Sequence, residues 1–567
     1  MAAGATCILD TAFAQGEGFL SAWRSYADAS AGTGPLHYVA IAQDGHWPSA
    51  EPPTTSSLPA QILARALRAL CVAGPPAPGF YRLPFDQGRV LLTLCIGPRA
   101  ASLMQLVMQA DHIVVGTDKA WAASELRRLQ ALARRGTTLA WADASDMGKA
   151  SPALDAALWK PRGDGVLVFD PSWALRSSRA APNCAFEKPG DCTVIGAGIS
   201  GAMVARALAL RGWQVTVLER HSQAACGASG LPAGLVSASG EACADPLFAL
   251  TRSAYHLTRQ TLQSMLVQGE DWDEGGVMRA HAPGRRRGTG NTEHAAAKDN
   301  AAGPAFAGLR SPWRPEALWL KPQALIRACL STPGVTLRCE AGVESLRYRG
   351  SQWKATAANG QELASSNLLV LCNAMDAARL LDQTRNAAAE ALSPAADRAL
   401  AQLHPRYGSI SSGSAVNLPN RPALPVQGNG HLLPAVPGAQ GLQWMAGAGF
   451  EAMDNATDAH CHQANLARVA QLVPGLAGPL QAQYEAGKLG LWRGQRCVSH
   501  DRLPLVGPAT VGGEKGLWMC LAMGARGLTF AALCAELLAA RLMAEPLPLP
   551  HRLARLLNVQ RLQGRKS

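Results

Sequence analysis

The stretch that most constrains what this chain can fold into is Cys192-Thr193-Val194-Ile195 running straight into Gly196-Ala197-Gly198-Ile199-Ser200-Gly201. The first four residues read as a short buried strand, and Ala202 to Arg211 as the helix after it. After Gly212 comes a second strand, Gln214 to Leu218, which ends on Glu219. Gly196 permits the tight turn, Gly198 lets backbone approach a pyrophosphate, and Gly201 lets the helix pack closely on the strand. The helix N-terminus then offers free N–H groups and a favourable dipole to the phosphates. Glu219, at the end of the second strand, is placed to accept from the adenosine ribose hydroxyls and disfavours a phosphorylated ribose. Glycine turns alone are common; strand, helix, second strand and terminal acid together predict a dinucleotide site.

Two small-residue segments downstream favour FAD over NAD. Gly227 to Val236 is a loop directly after the ribose acid, and Ser229, Gly230 and Gly234 in it let backbone run beside a flavin. Near the C-terminus, Gly524-Ala525-Arg526-Gly527-Leu528-Thr529 opens an apolar, alanine-rich helix over 530–543. That is a second helix N-terminus, suited to the pyrimidine end of an isoalloxazine, where negative charge builds on reduction. Leu368 to Ala374 reads as a further buried strand whose end, at Asn373, borders the pyrophosphate. The competing reading is that both small-residue segments are ordinary glycine loops.

The rest of the 567 residues divides around this site. Residues 1–171 alternate strands (Leu36 to Ile41, Arg89 to Leu94, Thr137 to Trp141) with a helix over Ser124 to Ala133, which predicts a separate α/β domain. Residues 172–190 are rich in Ser, Arg, Ala and Pro and read as a linker. Within the second domain, over 191–560, the stretch 281–303 has few large apolar residues and reads as a flexible, exposed insertion; 561–567 is a basic tail. No apolar run reaches about 18 residues, so no spanning helix is expected, and the N-terminus lacks the basic and apolar regions of a secretory signal. The 14 cysteines include no Cys-x-x-Cys pair, which argues against a thiolate metal site; they read as reduced thiols of a cytoplasmic protein without bound metal. A formal charge of +12 fits an anionic macromolecular partner, or equally a compositional arginine bias.

At Val194 to Gly201, Glu219, Gly227 to Gly234 and Gly494 to Gly507, the sequence resembles the glycine oxidase and D-amino-acid oxidase superfamily of FAD enzymes. Gly212 to Val217, Trp319-Leu320-Lys321-Pro322, Asp501 to Gly507, Gly524 to Thr529 and Glu536 to Pro550 narrow the resemblance to the MnmC family of tRNA-modifying proteins. The resemblance implies an FAD-binding Rossmann-type domain with an α+β substrate domain, preceded by a methyltransferase-like Rossmann domain. It implies tRNA as partner, at the wobble uridine of the anticodon loop. It also implies oxidation of a 5-carboxymethylaminomethyl side chain to the 5-aminomethyl base with release of glyoxylate, dioxygen reoxidising the flavin. Arg496 stands where the superfamily places its substrate-binding arginine, and a guanidinium grips a carboxylate in bidentate fashion. Val343 completes the candidate cofactor set. No general base is identifiable; His500 reads equally as a catalytic or a supporting group.

The family's N-terminal domain methylates the exposed amine with S-adenosylmethionine, and here its marks are eroded. Asp10 to Gly18 lies where the family carries a glycine-rich turn, with Ala12 and Ala14 at two glycine positions. Ala42-Gln43 stand where an acid for the ribose is expected, Gly97-Pro98 where the pattern is Gly-Asp, and Gly116 to Trp121 in place of Asp-Gly-Phe-Ala-Pro. The domain is therefore expected to be degraded and S-adenosylmethionine binding doubtful, although Asp44 and Asp118 offer substitutes. Two other functions compete: an oxidase of free glycine, sarcosine or D-amino acids, and a non-catalytic tRNA-binding flavoprotein.

Overall fold

The computed structural model describes residues 5–28, 34–43, 57–71, 74–116, 120–142, 154–173, 186–239, 245–280, 313–387, 393–449, 456–510 and 516–562. Its first part is an eight-stranded sheet drawn wholly from residues 6–169. Five strands at its centre run parallel, in the order Val90–Ile96, Leu36–Ala42, Thr6–Asp10, Ala110–Val115 and Ala133–Trp141. Leu36–Ala42 and Val90–Ile96 are buried at every position, which is why their sequences read as near-continuous apolar runs rather than alternating ones. Gly79–Phe85 closes one edge antiparallel, and the hairpin Trp159–Gly163/Val166–Phe169 closes the other. The helix Glu17–Asp28 packs through Phe19, Trp23 and Tyr26, a single face at helical spacing.

The second part is built on a six-stranded sheet in the order Val335–Arg338, Gln214–Leu218, Asp191–Ile195, Leu368–Leu371, Leu517–Leu521 and Leu505–Pro508. All pairs are parallel except the last. Helices Ile199–Ala209 and Gly527–Leu542 pack together on it with Pro246–Met265, all three contributing to one core that includes Trp213, Phe530 and Leu538. Over the cofactor end of this layer stands a seven-stranded sheet, with His404–Ser414 pairing Gly441–Gly447 on one side and the edge strand Gly490–Val498 on the other. Gly234–Ser237, Ala317–Leu320 and Trp272–Glu274 form a small sheet beneath it, and Ser345–Ser366 a three-stranded antiparallel flap.

Several boundaries differ from expectation for local reasons. The first helix of the fingerprint begins at Ile199 rather than Ala202, because the extended Gly198 serves as its N-cap. The alanine-rich helix begins at Gly527, three residues before position 530, running straight out of the turn Gly524–Arg526. Part of the expected linker is packed: Phe186 meets Trp213 edge to face at 5.1 Å, and its N–H donates to Leu542. Arg561, expected in a free basic tail, instead clasps Asp501 through two nitrogens and donates to the carbonyl of Pro504. The remainder of that tail, the 281–303 insertion, and both Asp44 and Asp118 lie outside the described residues.

The two parts are joined by buried charge. Arg211 donates through Nε to both oxygens of Glu545 (2.8 and 2.9 Å) and through Nη1 and Nη2 to Glu536 (3.2 and 3.0 Å). From the N-terminal sheet, Arg82 reaches Glu536 at 3.3 Å and the carbonyl of Pro546, while His37 Nε2 lies 3.5 Å from Glu545. Arg82, His37 and Glu545 are 2%, 1% and 0% exposed, so these charges have left water and rely on one another. Ser253 also donates to the carbonyl of Phe80, and the N–H of Leu547 to Val107.

Candidate functional site

At the C-terminal ends of the parallel strands the backbone is drawn in around the glycine turn. Gly196 has φ +102°, and a Cβ there would lie 2.9 Å from the carbonyl oxygen of Cys372 and 3.0 Å from Cα of Asn373. The turn is thus wedged against the end of the Leu368–Leu371 strand, which only glycine allows. A Cβ on Gly201 would fall 1.9 Å from the carbonyl oxygen of Gly196, so the helix presses directly on the turn. Ser229 Oγ accepts from the N–H of Ile199 at 2.9 Å, fixing the small-residue loop to the helix N-terminus. Glu219 is held at the strand end by the N–H of Ala197 (3.0 Å) on one oxygen and by the N–H and Nδ1 of His221 (3.1 and 2.6 Å) on the other. Asn373 Oδ1 is buried with no protein partner among the described residues. An orphaned acceptor of this kind is costly unless something else bonds it.

These groups line one end of a cleft of about 1580 Å³ that extends to the Gly524–Thr529 segment. Besides Glu219, the nucleotide end carries Arg220 paired with Asp376 at 2.6 Å and Arg379 paired with Glu344 at 2.8 Å. At the far end the seven-stranded sheet supplies the wall. Arg496 lies across Gly408, where a Cβ would sit 2.5 Å from the guanidinium, and Nη1 donates to the carbonyl of Gly449 at 2.9 Å. The glycine therefore makes the trough in which the guanidinium lies. His431 stands nearby; burial and then the positive Arg496 push its imidazole down to about 4, so the ring is neutral at ordinary pH. Its Nε2 is buried and has no protein partner among the described residues.

Of the residues expected from sequence, Gly196, Gly198, Glu219, Ser229, Gly234, Val343, Asn373, Arg496, Gly524, Arg526, Gly527, Leu528 and Thr529 all line this cleft. Gly201 and Gly230 do not. Gly201 sits behind the turn, and a Cβ on Gly230 would meet the carbonyl oxygen of Ala225 at 2.6 Å, so both serve close packing. His500 lines the cleft as an exposed side chain. Sequence reasoning missed Arg406, His431, Trp492 and Arg502. Arg502 lies inside the Asp501 to Gly507 segment, but nothing local marks Arg406, which reaches the cleft only because its strand pairs with Gly490–Val498.

At the corresponding end of the N-terminal sheet, the described residues of the turn after the first strand are closely packed. Phe13 is buried, and its N–H donates to the carbonyl of Ile41, folding the turn after the first strand back over the second. Asp10 accepts from Tyr38 Oη (2.7 Å) and the N–H of Ala12 (2.9 Å), while burial raises its carboxyl above the usual range. A Cβ on Gly18 would meet Tyr38 Oη at 2.6 Å, and one on Gly16 would meet Leu63 at 2.8 Å. Ala14 takes φ +48°, a left-handed conformation that glycine adopts without strain. Across the sheet, the Arg99 guanidinium stacks 3.9 Å over Trp121 and bonds Glu125 and the carbonyl of Ala120.

Comparison with known proteins gives three findings. Residues 191–541 match the family model for FAD dependent oxidoreductases. The tRNA 5-methylaminomethyl-2-thiouridine biosynthesis bifunctional protein MnmC of Albidiferax ferrireducens is 36% identical over 98% of this chain and 92% of its own length. The protein of that name from Polaromonas naphthalenivorans is 36% identical over 97% and 89%. Among solved structures, glycine oxidase from Geobacillus kaustophilus superposes with a TM-score of 0.46 at 19% identity, over 62% of this chain and 94% of that one.

Proposed function

From the premise that this chain belongs to the MnmC family of FAD-dependent, tRNA-modifying proteins, we propose that it oxidises the 5-carboxymethylaminomethyl group of the wobble uridine in a tRNA anticodon loop, leaving the 5-aminomethyl base and glyoxylate. The observation that carries this reading is one continuous cleft with a dinucleotide cradle at one end and Arg496 in its glycine trough at the other.

The residues present fit FAD. The glycine turn and the helix N-terminus at Ile199 would hold the pyrophosphate, Glu219 retains acceptor capacity for the ribose, and the orphaned Asn373 Oδ1 would accept from a cofactor hydroxyl. The turn at Gly524 to Leu528 would hold the flavin ring. Bound there, FAD supplies the two-electron acceptor for the carboxymethyl C–H bond. The remaining work falls to the chain. Arg496 holds the substrate carboxylate in a planar grip, which sets the adjacent carbon at one place in the cleft. The substrate amine must be neutral for its lone pair to assist loss of the C–H electrons. A neutral His431 beside Arg496 leaves that amine facing no additional ring charge and offers Nε2 as a hydrogen-bond partner. The imine formed on the substrate hydrolyses to glyoxylate and the aminomethyl base. A wobble base in a single-stranded loop reaches such a site without opening a duplex.

The second half of the family's name is where this chain departs. Phe13, Tyr38 and Leu63 close around the turn that would cradle S-adenosylmethionine, and Ala42, whose carbonyl already accepts from the N–H of Gly97, stands in place of a ribose acid. We read the N-terminal part as a degraded methyltransferase kept for its contacts with the oxidase. The test is to incubate the purified full-length protein with tRNA carrying the carboxymethylaminomethyl base, with and without S-adenosylmethionine, and to analyse nucleosides and glyoxylate. Aminomethyl-uridine with stoichiometric glyoxylate is expected in both arms. Oxidation of free sarcosine or glycine with the tRNA base untouched would replace this reading with that of a small-molecule oxidase.

A further inference from the structure

Charge along the cleft is divided. The carboxylates lining it, Glu219, Glu344 and Asp376, all lie at the nucleotide end, each matched by His221, Arg379 or Arg220. The substrate end is lined by Arg406, Arg493, Arg496, Arg502 and Arg526, and by no carboxylate among the described residues. A single substrate carboxylate occupies one guanidinium, and Arg496 already fills that role.

Among the described residues, the side chains of two of the others, Arg406 and Arg502, have neither a hydrogen-bonded partner nor a paired carboxylate. Arg406 is directly opposite Arg496 in the antiparallel ladder between His404–Ser414 and Gly490–Val498, so both side chains project from one face. Like charges in that relation repel and destabilise the pair. Arg406 makes no hydrogen bond or ion pair among the described residues, and the same holds for the Arg502 side chain. Arg502 is held at φ +60° by a turn in which its N–H donates to Ser499, a conformation that costs a bulky residue energy. Its charge also bears on Arg526, whose guanidinium is pushed below its usual range by burial first and by Arg502 next, with Asp245 acting the other way more weakly. Arg493 is paired with Asp458 at 3.2 Å, but a cluster of five arginines in which Arg406 and Arg502 have no paired counter-charge among the described residues is suited to bind an anion. The pyrophosphate is committed to the opposite end, at Gly196 to Gly201.

We propose that the substrate end of the cleft receives RNA phosphates flanking the modified base, with Arg406 and Arg502 as the phosphate-binding residues. This rests on the tRNA reading above and deepens it: the enzyme recognises a nucleotide embedded in single-stranded RNA, not the modified base alone. Such contacts place the base without reading sequence, and Trp492, half-buried in the same wall, offers a ring for stacking.

The test uses the full-length holoprotein and three substrates carrying the same modified base: the free nucleoside, its 3′,5′-bisphosphate, and an anticodon stem-loop. For the unaltered protein, kcat/KM should rise at least about 100-fold from nucleoside to bisphosphate, and stem-loop binding should weaken steeply with salt. Arg406→Gln and Arg502→Gln should each cut the ratio of bisphosphate to nucleoside kcat/KM about tenfold or more. Each should also flatten the log–log salt dependence of stem-loop binding by about 0.7, one phosphate in a single strand. Bound-flavin absorbance confirms that the variants are folded, and Arg406→Lys should restore part of the ratio. Equal use of nucleoside and bisphosphate, or variants that lower both alike with the salt slope unchanged, overturns this proposal and leaves the tRNA reading standing. Oxidation of none of the three, with free sarcosine consumed, overturns the tRNA reading and this proposal with it.

Discussion

In the proposed site, Gly198 serves cofactor binding and Arg496 substrate binding within one cleft. A Cβ on Gly198 would lie 3.2 Å from Ser229 Oγ, the atom that accepts from the N–H of Ile199. Valine there displaces Ser229 and thickens the wall that the pyrophosphate must approach. Gly198→Val is expected to purify folded but without flavin absorbance; full FAD content in a folded variant would remove the turn from the site. Arg496→Lys keeps a charge but loses the planar fork and the fit to the trough over Gly408. A charged hydrogen bond contributes about 1.5–3 kcal/mol, so kcat/KM on modified tRNA should fall roughly 10- to 100-fold with flavin content unchanged. Steady-state kinetics on the two proteins, normalised to bound flavin, decide it. At this scale the strand–helix–strand unit of the candidate cofactor site was legible in the sequence because its parts are local, Gly196 to Gly201 and Glu219. Arg406 was not, since its place opposite Arg496 comes from a pairing between strands about ninety positions apart.

Between elements, the buried cluster of Arg82, Arg211, Glu536, Glu545 and His37 is the clearest feature that sequence reasoning did not supply. Arg82 and Glu536 are separated by more than four hundred residues, and neither stands in a pattern that marks burial. Strand and helix types were readable from periodicity, whereas their meeting across the two sheets depends on tertiary packing. Arg211 is the hub, with five donations to two carboxylates and the carbonyl of Ala207. Arg211→Met leaves Glu536 and Glu545 buried and largely unpaired, and is expected to cost about 3–5 kcal/mol, read as a lowered thermal midpoint. Acid should act on the same cluster. Burial holds the His37 imidazole below its ordinary value, while Arg211 draws Glu536 and Glu545 below the carboxylate range against their burial. In each case the unfolded chain takes up the proton first, so stability falls as pH drops. The His37 contribution is lost below about 6.5, and the carboxylate contribution below about 4.3, continuing through the depressed folded values. Glu545→Gln should therefore start less stable at pH 7 and lose less between pH 5 and 3. A Tm profile parallel to that of the unaltered protein over that interval would show that Glu545 is not a source of the acid sensitivity.

Over the whole molecule, an oxidase cleft whose substrate end is lined by arginines is joined to a second α/β unit that we read as a degraded methyltransferase. The parallel order of Val90–Ile96, Leu36–Ala42, Thr6–Asp10, Ala110–Val115 and Ala133–Trp141 remains that of a nucleotide-binding sheet. At the strand ends the described side chains pack closely on one another. Tyr38 Oη spans to Asp10, Phe13 and Leu63 pack against the turn at Gly16, and Arg99 holds Trp121 and Glu125. On the reading of a degraded unit, admitting S-adenosylmethionine requires breaking the buried Tyr38–Asp10 bond and exposing Phe13. Each lost hydrogen bond costs about 0.5–1.5 kcal/mol, and burying a Phe side chain contributes about 1.5–3 kcal/mol. The ligand would also meet Ala42 where a ribose acceptor is expected, so its binding would have to offset that opening with fewer contacts of its own. The sum is several kcal/mol, or a loss of affinity of roughly two to four orders of magnitude. The full-length protein should therefore show no heat of binding with S-adenosylmethionine at concentrations where FAD is saturating. It should also yield aminomethyl-uridine without its methylated derivative in tRNA assays. Conversely, the unit should still matter to the oxidase, because Arg82 and His37 lie against Glu536, within the helix that follows the Gly524–Arg526 turn, and Glu545, just beyond it. Replacing Arg82 with Met should lower thermal stability and flavin retention together. Formation of 5-methylaminomethyl-uridine by the purified protein, or stoichiometric S-adenosylmethionine binding, would show that the filled turn opens and that the methyl-transfer half has been retained.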